Sequence, residues 1–115
     1  MRLAEIFFAL AALGGLTMLV IRLRGADRPP TWLALGHGAI AATGLGTLAY
    51  TVATEAVPGL AKIALGVFVL VALGGFTLFL AFHLRKRPLP IPFILGHGLL
   101  AITGFVILLV AILRA

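Results

Sequence analysis

The chain has 115 residues, of which 63% are hydrophobic and only 10% charged, with a net charge of +6 and no cysteine. Soluble domains are roughly half apolar and a quarter charged, so a chain this short cannot cover its core with a wettable shell. The composition excludes a disulfide framework and thiolate chemistry, and it makes lipid the expected solvent.

Hydropathy marks four apolar runs, Leu3–Ile21, Trp32–Ala53, Leu60–His83 and Ile91–Leu113. Each holds about twenty residues, the length that crosses a ~30 Å hydrocarbon layer as a helix. Lipid offers the backbone no hydrogen-bond partner, which predicts helices rather than strands. Gly25, Pro29 and Pro30, then Pro58 and Gly59, then Pro88, Pro90 and Pro92 punctuate the breaks. The first run has the length of a secretory signal, but its internal copy is plainly a mature helix and no small-residue cleavage site follows it. It is expected to be retained.

The first connection carries Arg22, Arg24 and Arg28 and the third Arg85, Lys86 and Arg87, against Arg2, Lys62 and Arg114 at the other side. An excess of cations in short loops marks the cytoplasmic face. The expected location is a bacterial inner membrane, with both termini outside and loops 22–30 and 83–90 in the cytoplasm. The net charge is then a topological signal and not the footprint of nucleic-acid binding.

The two halves align without a gap at an offset of sixty. Ala12-Leu13-Gly14-Gly15 returns as Ala72-Leu73-Gly74-Gly75, Thr17 as Thr77, Pro30 as Pro90, and Leu35-Gly36-His37-Gly38 as Leu95-Gly96-His97-Gly98. Ala41, Thr43, Gly44 and Leu48 recur as Ala101, Thr103, Gly104 and Leu108. The expected fold is all-α: an integral membrane four-helix bundle of two tandem helical hairpins, residues 1–58 and 59–115. A hairpin crosses twice, so the copies share an orientation and a pseudo-twofold axis along the membrane normal should relate them. His37, Ala41, Gly44 and Leu48 make one helical stripe, and Ala4, Phe8, Ala12 and Gly15 a second. Their repetition in the other half marks faces expected to meet in the bundle interior.

Depth places the two histidines and eight glycines in one slab. His37 lies a few residues inside its span and Gly14-Gly15 a similar way from Arg22, about 10 Å in at the helical rise. His97 and Gly74-Gly75 repeat this. Glycine fills a bundle poorly, so the layer is either very tightly packed or occupied by something other than protein. Ionisable groups in a membrane are costly and are functional by default, although a bond to threonine or carbonyl would satisfy a purely structural histidine. Two imidazoles facing across a flat apolar slot suit a b-type haem, with His37 and His97 as axial ligands. Gly36, Gly38, Gly96 and Gly98 would thin the shoulders beside them. The carbonyls of Leu33 and Phe93, or the hydroxyls of Thr17 and Thr77, are the expected acceptors for the second ring N–H. Arg24 and Arg85, with the other loop cations, are placed to meet propionates.

In these residues the chain resembles the small bis-histidine membrane cytochromes b, in which a four-helix bundle offers histidines to haem beside glycine. It departs from the two-haem members in having one histidine per helix, so the resemblance implies one haem b. It further implies single-electron transfer with a quinone, a membrane protein partner or a second copy of the chain, and no enzymatic chemistry of its own. The alternative is an accessory subunit of a respiratory or photosynthetic complex, whose histidines are structural or each ligate a chlorophyll-type pigment. A transporter ranks last, since no carboxylate falls mid-span and only threonines line the helices. His83 aligns with Leu23 and has no counterpart; it is expected to reach for water, or else to meet a propionate. Trp32 and Tyr50 fit the aromatic belts at the ends of the second span.

Overall fold

A computed structural model describes the whole chain, Met1–Ala115. It contains four helices and no strand: α1 (Arg2–Leu23), α2 (Thr31–Thr54), α3 (Gly59–Thr77) continued by a π-helical segment (Leu78–His83), and α4 (Ile91–Leu113). All four, taking α3 with its π extension, are long and apolar enough to cross a membrane. They match the apolar runs within two residues. Helix starts follow prolines: Pro30, Pro58 and Pro90 each sit just before a first turn, where a fixed φ and a missing N–H cost nothing.

The bundle measures 44 × 19 × 18 Å. α1 packs mainly on α2 and α3 on α4, with lesser α1–α4 and α2–α3 contacts, so α1 faces α3 and α2 faces α4 across the diagonals. At the end bearing the chain termini the core is dense. Ala4, Phe8, Leu48, Ala64, Phe68 and Leu108 form one buried cluster. At its centre Phe8 and Phe68 stack with centroids 3.7 Å apart and planes 5° from parallel. Gly44 and Gly104 make room for them: a Cβ at either would stand 3.2 Å from the phenyl ring beside it. The stripe expected through Ala4, Phe8, Ala12 and Gly15 is followed only as far as Phe8. Ala11 is buried and Ala12 exposed, because α1 presents the Ala11 edge to α2. Large apolar side chains on every helix, among them Leu13, Leu35, Phe76 and Leu99, are exposed.

The opposite, basic end is organised by two helix ends. Beyond α1, Gly25 at φ +110 lets Ala26 N–H bond the Ile21 carbonyl and Gly25 N–H that of Arg22, a Schellman closure. The third helix closes the same way one residue later than the alignment predicts. Lys86, at φ +54, stands in the glycine's place, with Arg87 N–H on Phe82 and Lys86 N–H on His83. The π segment supplies the extra residue, since a π turn is a one-residue insertion in an α-helix. The gapless sequence alignment conceals this slip. The structural counterpart of His83 is therefore Arg22, not Leu23.

Candidate functional site

The LGHG segments sit in the second turns of α2 and α4, on diagonal helices and at one level. Each histidine packs into its own hairpin. A Cβ on Gly15 would lie 3.2 Å from Cε1 of His37, and one on Gly14 3.6 Å from its Nδ1. His97 lies the same way in α3, 3.2 Å from a Cβ built on Gly74 and 3.4 Å from one on Gly75. The glycine pairs are thus filled by the imidazoles themselves, which corrects the expectation that they border an empty slot. Small residues let the ring approach the facing backbone, and that approach decides the second correction. Nδ1 of His37 donates to the Ala11 carbonyl at 2.7 Å, across the hairpin. Leu33 and Phe93 do not serve, and neither do the threonines. Thr17 and Thr77 are exposed and bond back to Leu13 and Leu73 on their own helices.

Nδ1 of His97 turns toward the Val71 carbonyl, the counterpart of Ala11, but completes no bond and is buried without a partner. A carbonyl can only accept, so the proton of His37 is at Nδ1 and Nε2 keeps its lone pair in the neutral ring. Neither Nε2 is hydrogen-bonded or fully enclosed.

Around them no residue between Ala12 and Arg28, Pro30 and Thr43, Val69 and Thr77, or Pro90 and Thr103 is fully buried, in contrast to the dense terminal end. Gly36, Gly38, Gly96 and Gly98 have nothing within 4 Å of where a Cβ would stand, so these four face unoccupied space. A cavity of about 240 Å³ lies against His97, between Val71, Gly74, Phe93 and Gly96. Arg24 and Arg85 are exposed at the basic end and the structure joins them to neither histidine. No group of three or more His, Asp or Glu side chains is close enough to hold a metal by protein ligands alone.

His83 differs from its expectation. It is 5% exposed, stacks on Phe79 at 5.2 Å and shares a hydrogen bond of 3.0 Å between its Nε2 and Thr31 Oγ1. It does not reach for water. The one-residue slip that turns it inward has no signature in the sequence.

Compared with family models, with curated proteins and with solved structures, the chain matches none.

Proposed function

We propose that the chain is an integral membrane, b-type haem protein for single-electron transfer, with His37 and His97 as the axial ligands. The observation that carries this reading is the state of the two rings. His37 is held by Nδ1 on a backbone carbonyl, as ligating histidines are; His97 is turned toward the matching carbonyl. Nε2 of His37 keeps its lone pair and Nε2 of His97 makes no hydrogen bond, on helices that face each other diagonally. A protein-only metal cage would need further side-chain ligands, whereas a porphyrin brings four nitrogens and asks the chain for two. The unburied layer at this level supports the same assignment. A tetrapyrrole exceeds the cavity beside His97, so this reading requires the helices to part at a level where no side chain is buried.

The reading places the four helices across a membrane with the loop cations in the cytoplasm, and treats the hairpins as tandem copies about a twofold axis. The exposed leucines and phenylalanines of all four helices support insertion, since a lipid-facing surface carries such side chains and water opposes them. The matched glycine–histidine and glycine–phenylalanine contacts of the two halves support the axis. Haem held by His37 and His97 would supply one-electron redox chemistry. The chain's own part would be to fix the His37 tautomer through Ala11, seat His97 against Gly74 and Gly75, and hold a partner within the membrane plane, a quinone or another membrane subunit.

The test is the reduced-minus-oxidised visible spectrum and iron content of detergent-purified protein. A sharp α-band is expected, lost in His37→Ala and in His97→Ala. A second reading rests on the cavity at His97, bordered by the exposed residues Phe93 and Gly96: each histidine holds one chlorophyll-type pigment in an accessory subunit. Solvent extraction separates the two, giving an iron porphyrin in the first case and a magnesium chlorin in the second.

A further inference from the structure

A cavity larger than the one at His97 lies at the basic end. It has a volume of about 620 Å³ and is lined by Asp27, Arg28, Pro30, Thr31 and His83, among others. Three features there lack partners. Nδ1 of His83 is buried with no hydrogen bond. Arg28, a half-buried residue, makes no ion pair: the only pair in the molecule is Arg2–Glu5. The amides of Thr31 and Trp32 at the start of α2 are free, since Pro30 is the cap and provides no side-chain bond.

Arg28 and the two amides are donors, and Arg28, Thr31 and His83 line the same cavity. A helix N-terminus carries positive potential and aims N–H groups at an anion. Arg28 adds a full charge and lines the same cavity as His83. When the Thr31 hydroxyl donates to Nε2, the imidazole proton stands at Nδ1 and becomes a further donor. Asp27, the one acid at the cavity, is exposed and can turn to water. The start of α4 has no such set, because Pro92 removes one of its first amides.

We infer that Arg28, His83 and the first turn of α2 form a phosphate site, and that its occupant is the headgroup of an anionic phospholipid. The chemistry is shared with free phosphate, but position selects the lipid. The cavity lies at the end of the spans, where acyl chains can lie along the exposed apolar helix faces while the headgroup enters. The site is separate from the histidine layer and does not rest on what that layer holds.

The experiment is native mass spectrometry of the full chain titrated with phosphatidylglycerol in a neutral detergent, with ¹⁵N-histidine resonances followed in the same samples. The expected result is one tightly retained lipid, weakened about tenfold in Arg28→Gln and unchanged in Arg114→Gln, with the His83 resonance shifting on binding. Retention is also expected in a His37→Ala/His97→Ala variant, which keeps the outcome distinct from that of the haem proposal. Inorganic phosphate is the second arm. If it shifts His83 and lipid does not, the lipid assignment is overturned; if neither shifts it, or Arg28→Gln binds like the parent, the site itself is. Helicity of each variant by circular dichroism separates lost binding from lost fold.

Discussion

Arg22 and His83 are straps of one kind, each leaving the last turn of one hairpin's first helix to hold the other hairpin. Nε of Arg22 donates to the Leu89 carbonyl at 2.9 Å, and His83 meets Thr31 at 3.0 Å. Leu89 is buried and its N–H is bonded to Asp27, so the Arg22 strap closes a network across both loops. A hydrogen bond to a charged donor contributes about 1.5–3 kcal/mol. Arg22→Leu is therefore expected to accelerate amide exchange at Leu89 by about tenfold, with little change at the terminal end.

The stacked phenylalanines are the anchor of that terminal end. Phe8→Ala empties a site bounded by Phe68 and Gly44. Such truncations cost about 3 kcal/mol or more in a close-packed core, and helix association in lipid depends on the same packing. The expected outcome is a large fall in the thermal midpoint measured in detergent.

Glycines of one helix should respond in opposite ways. Gly44→Ala puts a methyl 3.1 Å from Cβ of Phe7, and overpacking of this sort costs about 1–3 kcal/mol. At Gly46 nothing lies within 4 Å, so Gly46→Ala gains up to about 1 kcal/mol of helix propensity. Paired thermal melts check the sign of each.

The histidine seats carry a finer ordering. Gly15→Ala must displace the His37 ring from 3.2 Å, whereas Gly14→Ala meets it at 3.6 Å, an ordinary contact. In the second hairpin the order reverses, with Gly74 at 3.2 Å and Gly75 at 3.4 Å. Spectra of ¹⁵N-labelled histidine are expected to show His37 moved by Gly15→Ala more than by Gly14→Ala, and His97 moved more by Gly74→Ala than by Gly75→Ala.

Lys86 holds a left-handed backbone at φ +54 where the first hairpin uses Gly25. An L side chain in that region costs roughly 1–2 kcal/mol. Lys86→Gly is expected to raise stability by about 1 kcal/mol, a little less where the freer unfolded chain offsets it; denaturant titration of the refoldable protein measures it.

Much of the architecture was legible in the residues because it rests on two strong signals, apolar length and internal repetition. Both act at the scale of whole helices, so the four elements were placed within two residues. The seats of His37 and His97 beside Gly14-Gly15 and Gly74-Gly75 were legible too, as neighbours in depth. The acceptor at Ala11 was not, because it depends on which edge of α1 meets α2, a rotation of a few tens of degrees that small residues on both edges leave undetermined. The burial of His83 was hidden for another reason. A π turn arises where packing favours one more residue per turn, and neither Leu78 nor Phe82 advertises it.

That single wide turn also makes the two ends of the hairpins unlike. The gapless repeat would give both rims the same latch, but the register slip ahead of His83 leaves one closed by a guanidinium on a carbonyl and the other by an imidazole on a threonine. The proposed cofactor, if bound between the diagonal helices, would therefore meet two distinguishable rims and not a symmetric pair.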